Sequence, residues 1–194
     1  MKILAYLYVQ ETYERECMKF IFQRNIFSIS FVLVITALAI TSCGSKKILY
    51  NPNEVAVLSR QLKIPIQNDD PNMDLLAEVS LWLGTPYRYG GNTKKGTDCS
   101  GFVAQVYRKV YNKKLERSSD GQAKKNTKSV RKRNLKTGDL VFFRTNSKSK
   151  KITHVGIFLR DDHFIHASTS KGVIVSNLND NYYKKNWAKG GRVK

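Results

Sequence analysis

Three side chains in the second half of the sequence, Cys99, His154 and His166, are of the types that carry out nucleophilic catalysis. A thiol attacks only as the thiolate, and the free amides and macrodipole of a helix N-terminus stabilise that anion. The apolar residues after the cysteine recur at helical spacing, at Phe102, Val103, Val106 and Val110. The sequence therefore predicts that Cys99 begins an amphipathic helix and has a lowered pKa. The alternative is a small buried apolar residue, as free cysteines often are.

The two histidines are predicted to lie on neighbouring strands. His154 opens one strand and His166 lies on the next, with an Asp161-Asp162 turn between them. A hairpin brings such residues together, and strand alternation predicts that both imidazoles face the Cys99 helix. We interpret His154 as the base that takes the thiol proton and His166 as the group that orients its ring. His163 falls on the opposite face and is expected to be a solvated turn residue.

The same cysteine and histidines would also make an acceptable three-ligand set for zinc. Zinc sites commonly contain a close pair of ligands, of the Cys-x-x-Cys kind, and the sequence has no such pair. We therefore predict a reactive thiol that works with no metal and no other cofactor.

The order of the predicted elements indicates the fold class. Apolar residues at helical spacing predict a helix that ends at Gly84, and a glycine-rich loop, Thr85 to Thr97, leads from it to the cysteine. Four apolar runs predict strands at Leu140 to Phe143, Val155 to Leu159, Phe164 to Ala167 and Val173 to Val175. Helices first and strands afterwards, with short connections, are typical of an α+β fold over an antiparallel sheet.

The N-terminal part of the sequence has the layout of an export signal. Ile26 to Ile40 is an uncharged, mostly apolar run of 15 residues, with Lys19 and Arg24 before it and small residues and Cys43 after it. The run is shorter than the roughly 20 residues of a membrane-spanning helix, and its flanks favour a signal peptide over a core helix. The sequence Ile40-Thr41-Ser42-Cys43 resembles the lipobox of bacterial lipoproteins, in which the cysteine is lipidated and becomes the N-terminus.

These features divide the chain into three parts. Residues 1–42 are the expected signal peptide, and Met18 is a second candidate start because the acidic residues before it do not suit a basic n-region. Residues 43–70 are the expected lipidated cysteine, carrying acyl chains such as palmitate, and a tether with one short helix at Glu54 to Leu62. Residues 71–194 form the expected catalytic domain. The protein is then tethered to a membrane and does not span it.

The chain carries 34 Lys and Arg against 15 Asp and Glu, a formal net charge of +19. Such an excess favours an anionic partner, and anionic polymers and lipids of a cell envelope are candidates beside nucleic acid. Seven basic residues lie between Lys124 and Lys136 without interleaved aromatic residues. Nucleic-acid sites normally combine charge with stacking aromatics or a recognition motif, so we predict a solvated face and no nucleic-acid partner.

Five segments of the sequence have the form of motifs known from one family. They are TPYRYGG, GTDCSGFV, TGDLVFF, HVGIF and FIHAST, and the resemblance runs from about Leu75 to Lys194. The sequence resembles the NlpC family of papain-like cell-wall cysteine peptidases, and especially its Spr lipoprotein branch. The resemblance implies a papain-like fold, with N-terminal helices packed on a central antiparallel sheet. It also implies a monomer that is anchored in the cell envelope, at the periplasmic face of the outer membrane.

The resemblance assigns roles to residues at matching positions. Cys99 in DCSG matches the nucleophile, His154 in HVG the base, and His166 in HAS the orienter. Tyr87 matches a tyrosine that helps to form the oxyanion hole. The alternative is that Tyr87 only packs as an aromatic residue of the loop.

Four further residues are expected to line the site. Ser100 should direct its backbone amide toward the oxyanion. Asp98 is expected to cap the helix and to contact substrate amines. Arg117 and Ser118 match a strip rich in Arg and Ser or Thr that lines the cleft of the family, although Glu116 stands where a proline is usual.

The substrate implied by the resemblance is the stem peptide of peptidoglycan, which contains D-glutamate and a diamino acid. Members of the family cut either within the stem or across the D-alanine crosslink, and both bonds remain open here. A protein of another class, a catalytically idle peptidoglycan-binding lipoprotein, would keep the fold but lose part of the Cys99, His154, His166 and Tyr87 set. Because the set is intact, the sequence favours the enzyme.

Overall fold

Helices occupy the first part of the domain and strands the second. The computed structural model describes residues 50–145 and 150–194. The helices are α1 (Pro52–Leu62), α2 (Met73–Ser80), α3 (Cys99–Tyr111), α4 (Ser119–Gly121) and α5 (Asn181–Asn186). A π-helical turn, Gln122–Asn126, and a 3-10 turn, Lys132–Asn134, lie between α4 and the main run of strands. The expected signal peptide, the second candidate start at Met18 and the expected lipidation site at Cys43 all lie outside the described residues.

The strands form one small pair and one large sheet. They are β1 (Asn92–Thr93), β2 (Gly96–Thr97), β3 (Thr127–Val130), β4 (Leu140–Phe143), β5 (His154–Phe158), β6 (His163–Ser168), β7 (Gly172–Asn177) and β8 (Trp187–Val193). The six-stranded sheet has the order β3-β8-β4-β5-β6-β7, and every neighbouring pair is antiparallel. The predicted α+β class is confirmed, and the four predicted strands are those that become β4 to β7.

Strand β4 shows that the sheet is covered on both faces. All four of its residues are buried. Leu140 and Phe142 belong to the main core, which also contains buried side chains of α1, α2 and α3. Val141 and Phe143 belong to a second cluster, completed by Phe158, Phe164 and Leu178, against which Tyr183 of α5 packs. A strand that is apolar on both sides requires cover on both faces, and the helices supply it from opposite sides.

Helix α1 is part of the packed domain, which differs from the predicted tether. Three of its residues, Val55, Leu58 and Leu62, are buried in the main core. The chain after it is held by an ion pair between Asp70 and Arg160, and Arg160 Nη1 also donates to the carbonyl of Pro65 at 3.0 Å. The packed part of the chain therefore includes residues well before the boundary placed at residue 71.

The sequence did not predict the strands β1, β2, β3 and β8 or the short helices α4 and α5. Strand β3 lies inside the basic segment between Lys124 and Lys136, and it pairs along Thr127 to Val130 with β8. Lys128 and Ser129 are exposed on this strand, so the basic segment does present a solvated face. Helix α5 consists of only six residues, Asn181–Asn186, with no regular apolar spacing.

In the part of the chain that the structure describes, no helix has both the length and the apolar character needed to cross a membrane.

Candidate active site

Cys99 is the first residue of α3, as predicted. The N-cap is Asp98, whose Oδ1 accepts a hydrogen bond from the amide of Gly101 at 2.7 Å. A side-chain acceptor at this position satisfies one of the amides left free at a helix start. Gly101 itself has no room for a side chain, because an added Cβ would lie 2.2 Å from the carbonyl oxygen of Gly91. The glycine in DCSG therefore lets the preceding loop press against the first turn of the helix.

The pKa of the Cys99 thiol is raised to about 11, mainly by burial. Hydrogen bonds from the amides of Val155, Ser100 and Cys99 act in the opposite direction, and the charge of Asp98 adds to the rise. The prediction of a lowered thiol pKa is therefore wrong, because desolvation outweighs the favourable amides of the helix start. The amides nonetheless surround the sulfur, and one of them belongs to the residue next to His154.

Asp98 and Arg117 form the charged part of the site. Arg117 donates from Nη2 to Asp98 Oδ2 at 2.7 Å and from Nη1 to Asp98 Oδ1 at 2.9 Å. The same guanidinium reaches Ser100 Oγ at 3.1 Å and the carbonyl of Gly91 at 3.1 Å. Burial raises the pKa of Asp98, but the bonds from Arg117 and from the amides of Gly101 and Gly90 outweigh it, so the net pKa is lowered. Asp98 is thus an ionised helix cap.

Ser118 and Tyr87 occupy different positions relative to this cluster. Ser118 is exposed and caps the short helix α4, where its Oγ accepts from the amide of Gly121 at 3.1 Å. It makes no hydrogen bond to Asp98 or Arg117 in the described structure. Tyr87 is partly buried beside Thr97, with which it forms a parallel bridge. Burial raises the pKa of its hydroxyl, and the charges of Cys99 and Asp98 raise it further, so Tyr87 is a neutral hydrogen-bond donor close to the thiol.

His154 and His166 are in direct contact. His154 Nε2 and His166 Nδ1 are 2.8 Å apart, and the two rings are nearly perpendicular, at 86°. Gly156 lies between them on the same face, where an added Cβ would be 2.7 Å from Phe164 Cδ2 and 3.1 Å from His166 Cβ. The glycine of HVG is therefore required for the imidazole of His166 to reach that of His154.

The histidines lie on the opposite face of the sheet from the one predicted. Val155 and Ile157 belong to the main core with α3, whereas His154 packs against Phe143 and His166 stacks on Phe164, both in the second cluster. The thiol lies near the start of β5, where the amide of Val155, the residue after His154, donates a hydrogen bond to the sulfur. The start of α3 and the start of β5 are thus brought together.

Both histidines are held neutral. Burial lowers the pKa of His154 to about 4. Burial also lowers the pKa of His166 well below its ordinary value, and the neighbouring His154 adds to this effect. His166 is only 1% exposed. Since the thiol pKa is raised, the resting pair at neutral pH consists of an uncharged thiol and an uncharged imidazole.

Sequence reasoning missed three residues around the site. Ser176 Oγ and Tyr183 Oη each lie 3.0 Å from His166 Nε2. Gln122 is fully buried, and its Nε2 donates to the carbonyls of Ser100 at 3.0 Å and Glu116 at 2.9 Å. Gln122 thereby ties the first turn of α3 to the segment that carries Arg117. The predicted strand Val173 to Val175 ends one residue before Ser176, and nothing in the sequence indicated the other two residues.

Within residues 50–145 and 150–194, no group of three or more His, Cys, Asp or Glu side chains is arranged so that it could hold a metal ion.

A buried cysteine begins α3, and two histidines in contact lie on the neighbouring strands β5 and β6, which is a set of residue types that cysteine hydrolases use. The sequence profile of the NlpC/P60 family matches residues 84–192. The chain belongs to this family, and the resemblance predicted from its motifs is confirmed.

Known relatives agree with this assignment. The chain is 44% identical over 128 residues to the protein named murein DD-endopeptidase MepS/murein LD-carboxypeptidase of Escherichia coli strain K12, a match that spans 66% of each chain. It is 40% identical over 162 residues to the probable endopeptidase NlpC of the same strain, spanning 84% of this chain and 97% of that protein. The crystal structure of an NlpC/P60 family protein from Bacillus cereus matches with a TM-score of 0.58 and 29% identity, over 64% of this chain and 40% of that one.

Proposed function

We propose that the protein is a peptidoglycan endopeptidase in which Cys99 is the nucleophile, His154 the base and His166 the group that orients the base. The observation that carries the proposal is the 2.8 Å contact between the two imidazoles, together with a thiol at a helix start that accepts hydrogen bonds from the amides of Val155, Ser100 and Cys99. The relatives support it, since one is named a murein DD-endopeptidase, another a probable peptidoglycan endopeptidase and a third a probable endopeptidase. No metal or cofactor takes part in the proposed reaction.

The reaction follows from the geometry. Because His154 Nε2 is occupied by His166, Nδ1 is the ring nitrogen left to take the proton of Cys99. The thiolate sulfur then bonds to the carbonyl carbon of the scissile amide, and the C–N bond breaks as His154 returns the proton to the leaving amine. Water, activated by the same imidazole, hydrolyses the thioester and restores the thiol.

The oxyanion of the tetrahedral intermediate requires donors that are already in place. The amides of Ser100 and Cys99 and the neutral hydroxyl of Tyr87 are the candidates. Preorganised donors at this position are usually a large electrostatic contribution to acyl transfer. Asp98, paired with Arg117, is proposed to receive the amine of the stem peptide, with Arg117 and Ser118 on the cleft wall.

The bond proposed to be cut is the D-alanine crosslink. The name of the MepS relative specifies a DD-endopeptidase, which favours this bond over the one between D-glutamate and the diamino acid. The decisive experiment is digestion of purified sacculi with the protein, followed by mass identification of the released muropeptides. Crosslinked dimers should become monomers, and Cys99→Ala should release nothing. Binding of sacculi without any cleavage would favour the idle binding protein instead.

The location proposed for the enzyme is the cell envelope, as a monomer anchored by acyl chains on Cys43 at the periplasmic face of the outer membrane. The basic flank, the apolar run Ile26 to Ile40 and the ITSC sequence support the anchor. Mass spectrometry of the membrane-extracted protein should find an acylated Cys43 as the N-terminus. A mature chain that begins upstream of Cys43 without lipid would disprove this part. The basic segment between Lys124 and Lys136 is proposed to meet anionic envelope polymers.

A further inference from the structure

The ring nitrogen of His166 that faces away from His154 lies between two hydroxyl groups. Ser176 Oγ and Tyr183 Oη are each 3.0 Å from His166 Nε2, and Ser176 Oγ donates to Tyr183 Oη at 3.4 Å. No carboxylate takes part in these contacts. A hydroxyl oxygen can accept a hydrogen bond as well as donate one, so both oxygens can accept a hydrogen bond from the same N–H.

The protonation of His166 determines which nitrogen of His154 is free. If His166 carries its proton on Nε2, its Nδ1 has a lone pair and accepts from the Nε2–H of His154, whose Nδ1 is then unprotonated. If His166 carries its proton on Nδ1, it donates to His154 Nε2, and the proton of His154 must sit on Nδ1. In that second state His154 has no lone pair for the thiol proton. The base is competent in the first state only.

We propose that Ser176 and Tyr183 are positioning residues that keep the proton of His166 on Nε2, and so leave His154 Nδ1 free to accept the proton of Cys99. This inference rests on the proposed function, because it assumes that His154 is the base. The two hydroxyls act through His166, and in the described residues neither makes a hydrogen bond to the thiol.

Packing around Tyr183 fixes its hydroxyl in this position. Its ring lies edge-on to Phe164, with centroids 4.8 Å apart, and 5.3 Å from the ring of Phe143. The ring of His166 is 5.4 Å away. Side chains that are held on several sides lose little further freedom when a hydrogen bond forms, which favours one defined arrangement. Tyr183 lies on helix α5, which positions its ring beside His166.

A neutral pair of acceptors suits the burial of His166. His166 is 1% exposed. A carboxylate in the position of the two hydroxyls would also have to lose its hydration, which costs free energy. Two hydroxyls satisfy the buried N–H without introducing a charge. When His154 takes up the thiol proton, the lone pair on His166 Nδ1 stabilises the imidazolium through the existing 2.8 Å contact.

The chain offers a matched control for Tyr183. Tyr182 is the adjacent residue of α5 and is 56% exposed. Tyr182→Phe removes the same hydroxyl group from the same short helix without touching His166. Any effect of Tyr183→Phe that Tyr182→Phe does not share is therefore an effect on the imidazole.

The direct test is a measurement of histidine tautomers by two-dimensional 1H–15N NMR on the full-length protein labelled with 15N-histidine. The chain has three histidines, so the spectrum is simple to assign with a His163→Gln variant. We expect protonated Nε2 and unprotonated Nδ1 in both His154 and His166. Wild-type protein with the proton of His166 on Nδ1 would overturn the proposal, whether or not the protein cleaves peptidoglycan.

The kinetic test compares Ser176→Ala, Tyr183→Phe and the double variant with Tyr182→Phe. Each single variant keeps one acceptor and should lose a few-fold in kcat, whereas the double variant leaves the N–H without a partner and should lose on the order of 10²-fold, with KM little changed. The double variant should also show a mixture of tautomers in the NMR experiment. An unchanged kcat and an unchanged spectrum in the double variant would refute the proposal. If the double variant does not fold, the wild-type spectrum and the single variants decide the question.

Discussion

On the thiol side of the site, an ionised carboxylate and a guanidinium hold the polypeptide in place, whereas on the histidine side neutral side chains do so. Asp98 and Arg117 connect the glycine loop, the helix cap and Ser100 through charged hydrogen bonds. His154 and His166 are fixed by each other, by aromatic rings and by two hydroxyl groups.

Exposure explains why the two sides differ. The Arg117 side chain is 47% exposed, so its charge keeps much of its hydration while it binds Asp98. His166 is buried against the rings of Phe164 and Tyr183. A charge there would lose its hydration without an ion pair to compensate for the loss. The site therefore places its negative charge on a buried carboxylate that is paired with a half-exposed guanidinium, and it keeps both histidines neutral.

The largest effects should come from the pair that exchanges the proton. Cys99→Ala and His154→Ala should each reduce cleavage of sacculi by more than about 10³-fold, because nucleophile and base act as one unit. His166→Ala should leave weak but measurable activity, since an orienter assists the transfer without carrying it. His163→Ala is the control and should retain full activity. Full activity in Cys99→Ala would end the cysteine-peptidase assignment, and circular dichroism verifies that each variant is folded.

A single methyl group added at Gly156 should disturb the packing of the two histidines. In Gly156→Ala the new Cβ would lie 2.7 Å from the ring of Phe164 and 2.9 Å from the carbonyl of Ile165, so the neighbouring strand must shift. We expect a loss of about 1–3 kcal/mol in the free energy of unfolding, from chemical denaturation, and a larger loss in kcat than stability alone explains.

Gly84→Ala provides the matched comparison for this variant. Its φ of +78° strains an alanine, but nothing lies within 4 Å of the added Cβ. It should lose stability of similar size, about 1 kcal/mol, with kcat unchanged. Equal kcat values in the two variants would show that the close approach of the histidines does not matter for the reaction.

The difference between the two sides also explains what the sequence could predict. The start of α3 was predictable because its signals are local: a capping Asp98, apolar residues at helical spacing and a glycine in the first turn. Strands β4 to β7 were predictable for the same reason. In contrast, the face on which the histidines lie was predicted wrongly. The segment His154–Phe158 is apolar on both faces, so alternation divides the residues into two sets without indicating which set meets the helix.

The remaining errors come from contacts between distant parts of the chain. The polar sequence of α1 suggested a tether, but three apolar residues on one side were enough to seat it on the core. Strand β3 is recognisable only through its partner β8, some 60 residues later, and Tyr183 only through the ring it contacts. The thiol pKa depends on burial, which a sequence pattern does not report. The motifs assign proposed roles to residues of the site, but they do not indicate the groups that support those residues.

Two substitutions on the thiol side of the site should shift the pKa of Cys99 in opposite directions. Asp98→Asn keeps a good helix cap but removes the charge that raises the pKa of Cys99, so the thiol pKa should fall. Arg117→Gln removes a cation that stabilises the thiolate, so the thiol pKa should rise. Rates of iodoacetamide alkylation at fixed pH should therefore increase several-fold in the first variant and decrease in the second. Changes of the same sign would mean that both variants act by opening the site rather than through charge.

The smallest expected effect is that of pH on activity near neutrality. Because the pKa of His154 is lowered to about 4 and that of Cys99 is raised to about 11, neither group changes charge between about pH 6 and 9. We therefore expect kcat/KM to vary less than about twofold over this range, without the narrow bell expected for a helix-activated thiolate.

On the acid side, folding rather than catalysis should set the limit. The unfolded chain takes up protons on its histidines below about pH 6.5, whereas the partly buried His154 of the folded chain does so only near its lowered pKa of about 4. Stability that is present above pH 6.5 is therefore lost as the pH falls toward 4, by at most about 3 kcal/mol from this residue. Activity and urea unfolding, measured on the same samples from pH 4 to 9, should decline together at the acid end. A loss of half the activity near pH 6.5 with stability unchanged would mean that His154 titrates as a solvated imidazole, and the neutral character assigned to the histidine side would then be incorrect.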